Sequence, residues 1–589
     1  MTEPARQQGF FAELNRRNVF RVGMAYVLVA WIVLQIADVL FPALTLPEWT
    51  TRLVAGLLLL GFPLALFFAW AFELTPDGLK READVPREES ITHKTRRKLD
   101  FVVVGVLLVA LALMLVDKFV WQASDSAPES VVAAANGDKS IAVLPFANMS
   151  DDPSNEYFSD GITEELLNLL AKVPELRVIG RTSSFQFKNK NEDLRVIGEK
   201  LGVTNILEGS VRKSGNTVRV TAQLINSSDG AHLWSDTFDR DLDDIFKVQD
   251  EIAQSVVETL KVKLLGAALP QRKQPTDREA YDLYLKGRYF YVRLGVDDVG
   301  KAEDYFEKAV QLDPQSAPAW DGLAAVYIRQ ILNGVLPPEE GQALVWHALD
   351  RAIELDPTLS VTHYRVGFIR MIFDWNWPGA EEAFAKALAI EPNFPDALSG
   401  TGLLKVLLGQ NDTALDFVQR SLRVDPLRPS AHHNIGFVNY QSGNYAVAID
   451  AFREALEMSG GTYTRGNYYL SLNLLALGEL QAALRANEKE TGEQWRLAGR
   501  SVILHALNRA DESDVALKEM SERFADKAAF VIAGAHAYRG EIDEAFNWLD
   551  RAYEQHDPLI SWILQDPLLQ NLHRDPRYSA LLEKLNLSQ

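Results

Sequence analysis

The chain has 589 residues, no cysteine, and 60 basic against 80 acidic side chains. Its length implies several domains, and a hydrophobic fraction of 47% excludes wholesale disorder. The lack of cysteine excludes disulfides, thiol nucleophiles and thiolate metal sites. The acidity is concentrated after residue 122, as 47 basic against 68 acidic residues; it argues against nucleic acid as a partner, because that binding rests on neutralising phosphates.

Three apolar runs lie within the first 121 residues, at about 22–43, 53–72 and 101–121. Each has the roughly 20 residues that a helix needs to cross a hydrocarbon core. Trp31, Trp49, Trp70 and Trp121 stand in or beside them, as interfacial anchors do. Arg6, Arg16, Arg17 and Arg21 precede the first run, only Arg52 stands in the first loop, and Lys80, Arg81, Arg87, Lys94, Arg96, Arg97 and Lys98 fill the second. Basic residues mark the cytoplasmic side. The N-terminus and second loop are therefore expected inside and everything after Trp121 outside, in the periplasm of a Gram-negative cell. Asp38, near the outer end of the first run, is within reach of interfacial water, and the aromatic and arginine-rich stretch 9–20 has the character of a helix lying along the inner leaflet.

Residues 122–139 are small and polar and read as a flexible linker. The apolar, partly β-branched run 141–146 predicts a buried strand, with Ser159 or Asp160 capping a helix that runs through Lys172. A short strand at 176–179 and a helix at 192–201 follow. Three strands near 205–212, 218–226 and 231–240 are separated by Ser214-Gly215-Asn216 and Ser228-Asp229-Gly230, which are hairpin chemistry. An amphipathic helix over 244–264 closes a mixed α/β domain of residues 140–265.

The stretches SIAVLPFANMSDDPSNEYFSDGITEELLNLLAKVPELRVIGRTSSF and ILEGSVRKSGNTVRVTAQLINSSDGAHLWSDTFDRDLDDIFKVQDEIA resemble the TolB amino-terminal-like (FlgO-like) domain. The residues ahead of it resemble the membrane leader that often precedes this domain in proteobacterial repeat proteins. The resemblance implies an α/β fold and the cell envelope. The acidic residues Asp151, Asp152, Glu156, Asp160, Glu164 and Glu165 lack the alternate spacing of a Ca²⁺ loop and read as a solvated loop with negative charge at a helix N-terminus. His232 and Asp236, four apart on a strand, share a face but have no nucleophile beside them.

After a second linker, 266–278, a period of 34–35 residues appears, with a first interval of 43 that the stretch RQILNGVLPPEEG lengthens. Pro314, Pro357, Pro392 and Pro426 end LDP-like motifs, each preceded by a triplet: Ala302/Phe306/Ala309, Val345/Leu349/Ala352, Ala380/Phe384/Ala387 and Ala414/Val418/Ser421. A fifth triplet, Ala448/Phe452/Ala455, is followed by Gly460 in place of proline. This pattern resembles the tetratricopeptide (TPR) repeat and predicts an all-α solenoid over 279–589. The signature decays after Ala482, returns at Ala545/Leu549/Ala552, and ends in a short capping segment. Counting from the triplets places Arg365, His433, Asn434, Tyr440 and Asn467 on helix faces that line a partner-binding groove.

The chain therefore reads as multidomain: an α-helical transmembrane segment (1–121), a mixed α/β TolB-like domain, and a TPR solenoid. The expected function is a non-catalytic, inner-membrane-anchored scaffold or sensor that binds protein or peptide partners through its repeats, without cofactor or metal. The alternative is a small-ligand sensor acting through the α/β domain, with the repeats as a self-association surface. A nucleotide cyclase or hydrolase would need a convergent acid/base cluster, and the sequence offers none.

Overall fold

The computed structural model describes residues 139–173, 175–260, 277–293 and 295–587, with short stretches between residues 26 and 81. The chain divides into two units, Met1–Ser130 and Val131–Gln589. In the first unit, β1 (Phe72–Thr75) pairs antiparallel with β2 (Gly78–Arg81), a hairpin at the start of the expected second loop. The Tyr26 hydroxyl donates to the Leu58 carbonyl at 2.8 Å, so residues of the first two apolar runs lie side by side. No helix of the described residues is long and apolar enough to cross a membrane. Parts of the runs at 22–43 and 53–72, and all of 101–121, lie outside the described residues, as do stretch 9–20, Asp38 and most of both linkers.

In the second unit, a mixed sheet runs in the order β5 (Arg177–Val178), β3 (Ser140–Val143), β6 (Asn205–Ser214), β7 (Thr217–Asn226), β8 (His232–Asp241), with β4 (Ala147–Asn148) also on β6. β3 is parallel to β5 and β6, while β6, β7 and β8 form an antiparallel meander. Alternation along β3 separates two cores. Ile141 and Val143 face α1 (Glu156–Ala171) and α4 (Ile245–Thr259), while Ala142 and Leu144 belong to a second cluster with Ile197 and Leu201 of α3 (Leu194–Leu201). A short helix, α2 (Arg181–Phe185), follows β5.

One expectation is corrected at α1. Asp152 accepts from the Ser154 amide and caps a 3-10 turn with Pro153 at its first position, so the helix starts before Ser159 and Asp160, which are buried inside it. Proline suits this position because its φ is preset and its missing N–H would go unbonded anyway.

The repeat region forms eight helix pairs among the described residues: α5 (Arg278–Tyr291) with α6 (Val296–Leu312), α7 (Ala317–Leu332) with α8 (Pro338–Leu355), α9 (Ser360–Ile372) with α10 (Trp377–Ile390), α11 (Pro395–Leu407) with α12 (Asn411–Val424), α13 (Pro429–Gln441) with α14 (Tyr445–Met458), α15 (Gly466–Ala476) with α16 (Leu480–Asn487), α17 (Glu493–Ala506) with α18 (Ala510–Phe524), and α19 (Ala529–Tyr538) with α20 (Ile542–Glu554). The pairs continue without a break through 480–524, where the sequence pattern decays. All the triplet residues are fully buried. The first helices of successive pairs also touch one another and form an inner face.

At two joints the spacing of the array is set by aromatic wedges. A Cβ on Gly287 of α5 or Gly322 of α7 would come within 2.6 Å of the Phe306 ring, and Gly367 and Gly400 stand in the same relation to Phe384 at 2.6 and 2.8 Å. Each ring fills a slot that only two hydrogens leave open. Gly300, by contrast, is exposed inside α6 with nothing within 4 Å of its Cβ position. In urea unfolding, Gly322→Ala is expected to lose about 1–3 kcal/mol by overpacking, while Gly300→Ala gains roughly 0.5–1 kcal/mol from helix propensity. Equal signs for the two would overturn the wedge.

Candidate functional site

The α/β domain is bolted to the repeats rather than tethered to them. One hydrophobic cluster runs from Ile141 and Leu166 through Leu285 to Phe306 and beyond. Across this join, the Tyr157 hydroxyl donates to Asp282 at 2.5 Å and Lys213 approaches the same carboxylate at 3.4 Å, while Lys286, one turn on in α5, lies 2.8 Å from it. Glu164, buried in α1, is bonded to Arg181 of its own domain and to Arg288 of the first repeat. Burial raises the Glu164 pKa, but the Arg288 and Arg181 guanidiniums outweigh it and hold the group below the ordinary carboxylate range. Asp160 is buried beside Lys188 at 2.6 Å, and burial raises its pKa. The acidic residues of this region are thus divided: Asp151 and Asp152 are solvated as expected, whereas Asp160 and Glu164 are structural ion-pair partners.

A second bolt lies at the fourth LDP-like motif. Elsewhere the motif's aspartate closes its own turn: Asp313 accepts from the Gln315 amide at 3.0 Å and Asp356 from Thr358 at 2.9 Å. Asp425 instead accepts from the Ser183 amide at 2.8 Å and the Ser183 hydroxyl at 2.5 Å. The Gly180 amide donates to the Val424 carbonyl at 2.8 Å, the Leu427 amide donates to the Ser183 hydroxyl at 2.8 Å, and the Leu427 side chain packs on the α/β domain's second core.

On the inner face, the five expected contact residues are placed as follows. Arg365 donates to Asp321 of the preceding pair at 3.0 Å, and that carboxylate more than offsets the penalty of burying the charge. His433 is buried among Phe437, Phe452, Tyr463 and Tyr469, with ring centroids 5.0–6.5 Å away. Burial, with Arg465 nearby, lowers its pKa to about 3, so it is neutral at physiological pH. Tyr440 and Asn467 are also buried, and Asn434 is half-buried. The reading of His433, Tyr440 and Asn467 as open groove contacts is corrected: aromatic packing encloses the first two, and Asn467 is buried with its side-chain amide donating to the Lys489 carbonyl at 3.4 Å.

That face already carries an occupant. After α20, Asp557, Asp566 and Asp575, each followed by proline, cap successive turns: Pro558–Trp562 and Pro567–Leu572, both 3-10, and the helix α21 (Pro576–Lys584). The residues three and six places after each aspartate, Ile560/Ile563, Leu569/Leu572 and Tyr578/Leu581, are all buried. This segment packs on the last pair, where the Asn571 amide donates to the Ala537 carbonyl at 3.0 Å. It also reaches the middle pairs. Trp562 meets Phe437 edge-on at 4.8 Å, Gln565 lies against Gly409, and the Trp377 indole donates to the Leu585 carbonyl at 3.0 Å. Trp375 stacks on Tyr553 and His556 at 5.2 and 5.1 Å. The expected cap against the last pair therefore extends across the repeats. The nine-residue Asp-Pro spacing is the sequence signal that marks it.

Elsewhere, His232 and Asp236 are exposed on the edge strand β8, and Asp236 bonds the Thr237 amide beside it. Among the described residues no group of three or more His, Asp or Glu is placed to hold a metal ion.

Comparison with known proteins matches residues 137–255 to the second domain of HilA/YgeH-like transcriptional regulators and residues 429–461 to the tetratricopeptide repeat. The TolB-like resemblance is supported only to the level of a mixed α/β domain. "Putative adenylate cyclase 3" of Rhizobium meliloti (strain 1021) is 37% identical over 280 residues, 46% of this chain and 47% of that protein. The human "Mitochondrial import receptor subunit TOM70" is 22% identical over 179 residues, 30% of this chain and 29% of that protein. The chain thus spans less than half the length of either relative. Among solved structures, the type IV pilus biogenesis factor PilW has a TM-score of 0.31 at 19% identity, covering 36% of this chain and 93% of PilW. Human IFIT1 with m7Gppp-AAAA has a TM-score of 0.37 at 14% identity, covering 53% and 78%.

Two measurements check the electrostatics. Glu164→Leu strands two guanidiniums and is expected to cost about 3 kcal/mol, the low end for breaking a buried pair, because the arginine side chains keep 28% and 31% exposure. Asp566 sits near Tyr440, Tyr468, Tyr469 and Tyr578; burial raises its pKa to about 6, and its only bonding offset is the Leu568 amide. A carboxyl whose folded pKa is raised stabilises the fold below its unfolded pKa, and that contribution is lost as pH rises through about 6. Asp566→Asn should therefore raise the melting temperature relative to wild type at pH 8 and lose that advantage at pH 4.

Proposed function

We propose that this chain is a non-catalytic scaffold or sensor of the bacterial envelope that binds protein or peptide partners through its TPR solenoid. In this reading the three apolar runs anchor it in the inner membrane with the N-terminus in the cytoplasm, and the α/β domain and repeats lie in the periplasm. The observation that carries the reading is the inner face of stacked first helices, a surface built for extended contact. The asymmetry of basic residues around the apolar runs and the resemblance to envelope α/β domains support the location. The relative named as a putative cyclase is matched over less than half of its length. The non-catalytic reading is supported by the buried carboxylates of the α/β domain and its join to the repeats, Asp160, Glu164 and Asp425, which are engaged with Lys188, two arginines and Ser183.

Alkaline phosphatase fused after Asn136 is expected to be active and fused after Arg87 silent; the reverse pattern sinks the location. Crosslinking in intact membranes followed by purification should recover envelope proteins with the full chain and not with one lacking the repeats. Purified protein is expected to form no cyclic nucleotide from ATP, and steady turnover would overturn the non-catalytic reading.

A further inference from the structure

The closing segment, residues 557–587, behaves as a ligand would. It is a ribbon of three Asp-Pro-capped turns, and each turn buries the residues at the third and sixth places after its aspartate. It crosses from the last helix pair to the turns of the third and fourth pairs and to α13 of the fifth. Where it meets the third pair, the seat is imperfect. Trp375 has φ of 48°, in the left-handed region that a bulky residue adopts only at a cost. Its indole N–H is buried without a hydrogen-bond partner, while the neighbouring Trp377 indole is satisfied by the Leu585 carbonyl. A buried donor left unpaired costs free energy that an incoming acceptor would recover. Strain and an orphaned donor thus coincide where a segment of the same chain meets the inner face, and His433 Nε2 of α13 and the Ser561 hydroxyl of the segment itself are likewise buried without partners.

We propose that the inner face from α9 to α13 is a site for protein segments that carry Asp-Pro followed by bulky apolar residues at the third and sixth places, that residues 557–587 are its resident occupant, and that a partner segment of this chemistry binds by taking their place. This deepens, and rests on, the scaffold reading above. The aspartate caps its own turn and the proline fixes the entry. The first turn, with Ile560 and Ile563 buried, lies against α9, the second lies against α19, and Trp562, Gln565 and Leu585 carry the ribbon onto the third to fifth pairs. The competition is intramolecular, so the resident segment has a high effective concentration, and only a partner with better contacts, such as an acceptor for Trp375, displaces it.

The test uses the full chain and a synthetic peptide of residues 556–587. Wild type should bind it weakly, whereas Trp562→Ala/Gln565→Ala, which removes two inner-face contacts of the resident, should bind at least tenfold more tightly. Amide exchange of the protein's own 557–587 should rise when the peptide is added to either form. A peptide with serine at Ile560, Ile563, Leu569 and Leu572 should do neither. If the folded double variant binds no peptide, or binds the serine peptide equally, the proposal is overturned. Partners recovered by crosslinking that bind wild type and this variant alike would then leave the scaffold reading standing, with its contacts elsewhere. If the peptide binds as expected and crosslinking recovers no partner from membranes, the site stands and the scaffold reading falls.

Discussion

The fold depends on the fit of a phenylalanine ring between two glycines. Phe306 and Phe384 each rise from the second helix of a pair into the gap between its own first helix and the next one. At these two joints ring thickness therefore sets how far apart consecutive first helices stand, and Leu349, Val418 and Leu549 hold the same buried place in other pairs. That spacing, repeated, fixes the pitch of the inner face, and the inner face decides which segments can lie on it. Small triplet residues on the second helices serve the same end by letting backbones approach. Such packing is nearest-neighbour in kind, so local errors stay local, but every long-range feature of the molecule inherits the spacing.

The α/β domain inherits it at two points. Glu164 reaches Arg288 on the first pair, and Ser183 reaches Asp425 after the fourth. Both contacts are buried and charge-assisted, so they hold geometry more than they add stability. The closing segment inherits it as well, since Trp562, Gln565 and Leu585 meet the fifth, fourth and third pairs in turn. A solenoid would ordinarily present an open groove. This one is braced on one side by a second domain and lined on the other by its own chain.

Much of this was legible in the sequence where the physics is local and repeated. The triplets, the hairpin turns after β6 and β7, and the strand order of the meander follow from spacing and turn chemistry. The pairs over 480–524 were hidden because a helix pair needs only an apolar seam. The period puts Ala486 and Lys489 where a bulky and a small residue belong, and the buried seam is made instead by Ala483 and Asn487, which bonds the Arg496 carbonyl. The joins between domains were not legible, because their partners lie 124 and 242 residues apart and a lone Asp or Glu carries no trace of which distant group it will meet. Helical phase locates a face but not what covers it, so the sequence puts His433 and Tyr440 on the groove face while the fold encloses them. The nine-residue Asp-Pro spacing was visible, and its meaning came only with the buried residues behind each cap.

The two anchor points of the α/β domain have a mechanical consequence. A free repeat array bends and stretches like a spring, with compliance shared among all its turns. Here the stretch from the first pair to the end of the fourth is spanned by a folded domain pinned at both ends. Extending it must either pull Ser183 from Asp425 or deform a sheet whose hydrogen bonds resist shear. Elastic give is therefore left to the later pairs only so far as the closing segment that crosses them yields, and a force or a ligand that changes the curvature of the early ones is delivered as a load across the α/β domain.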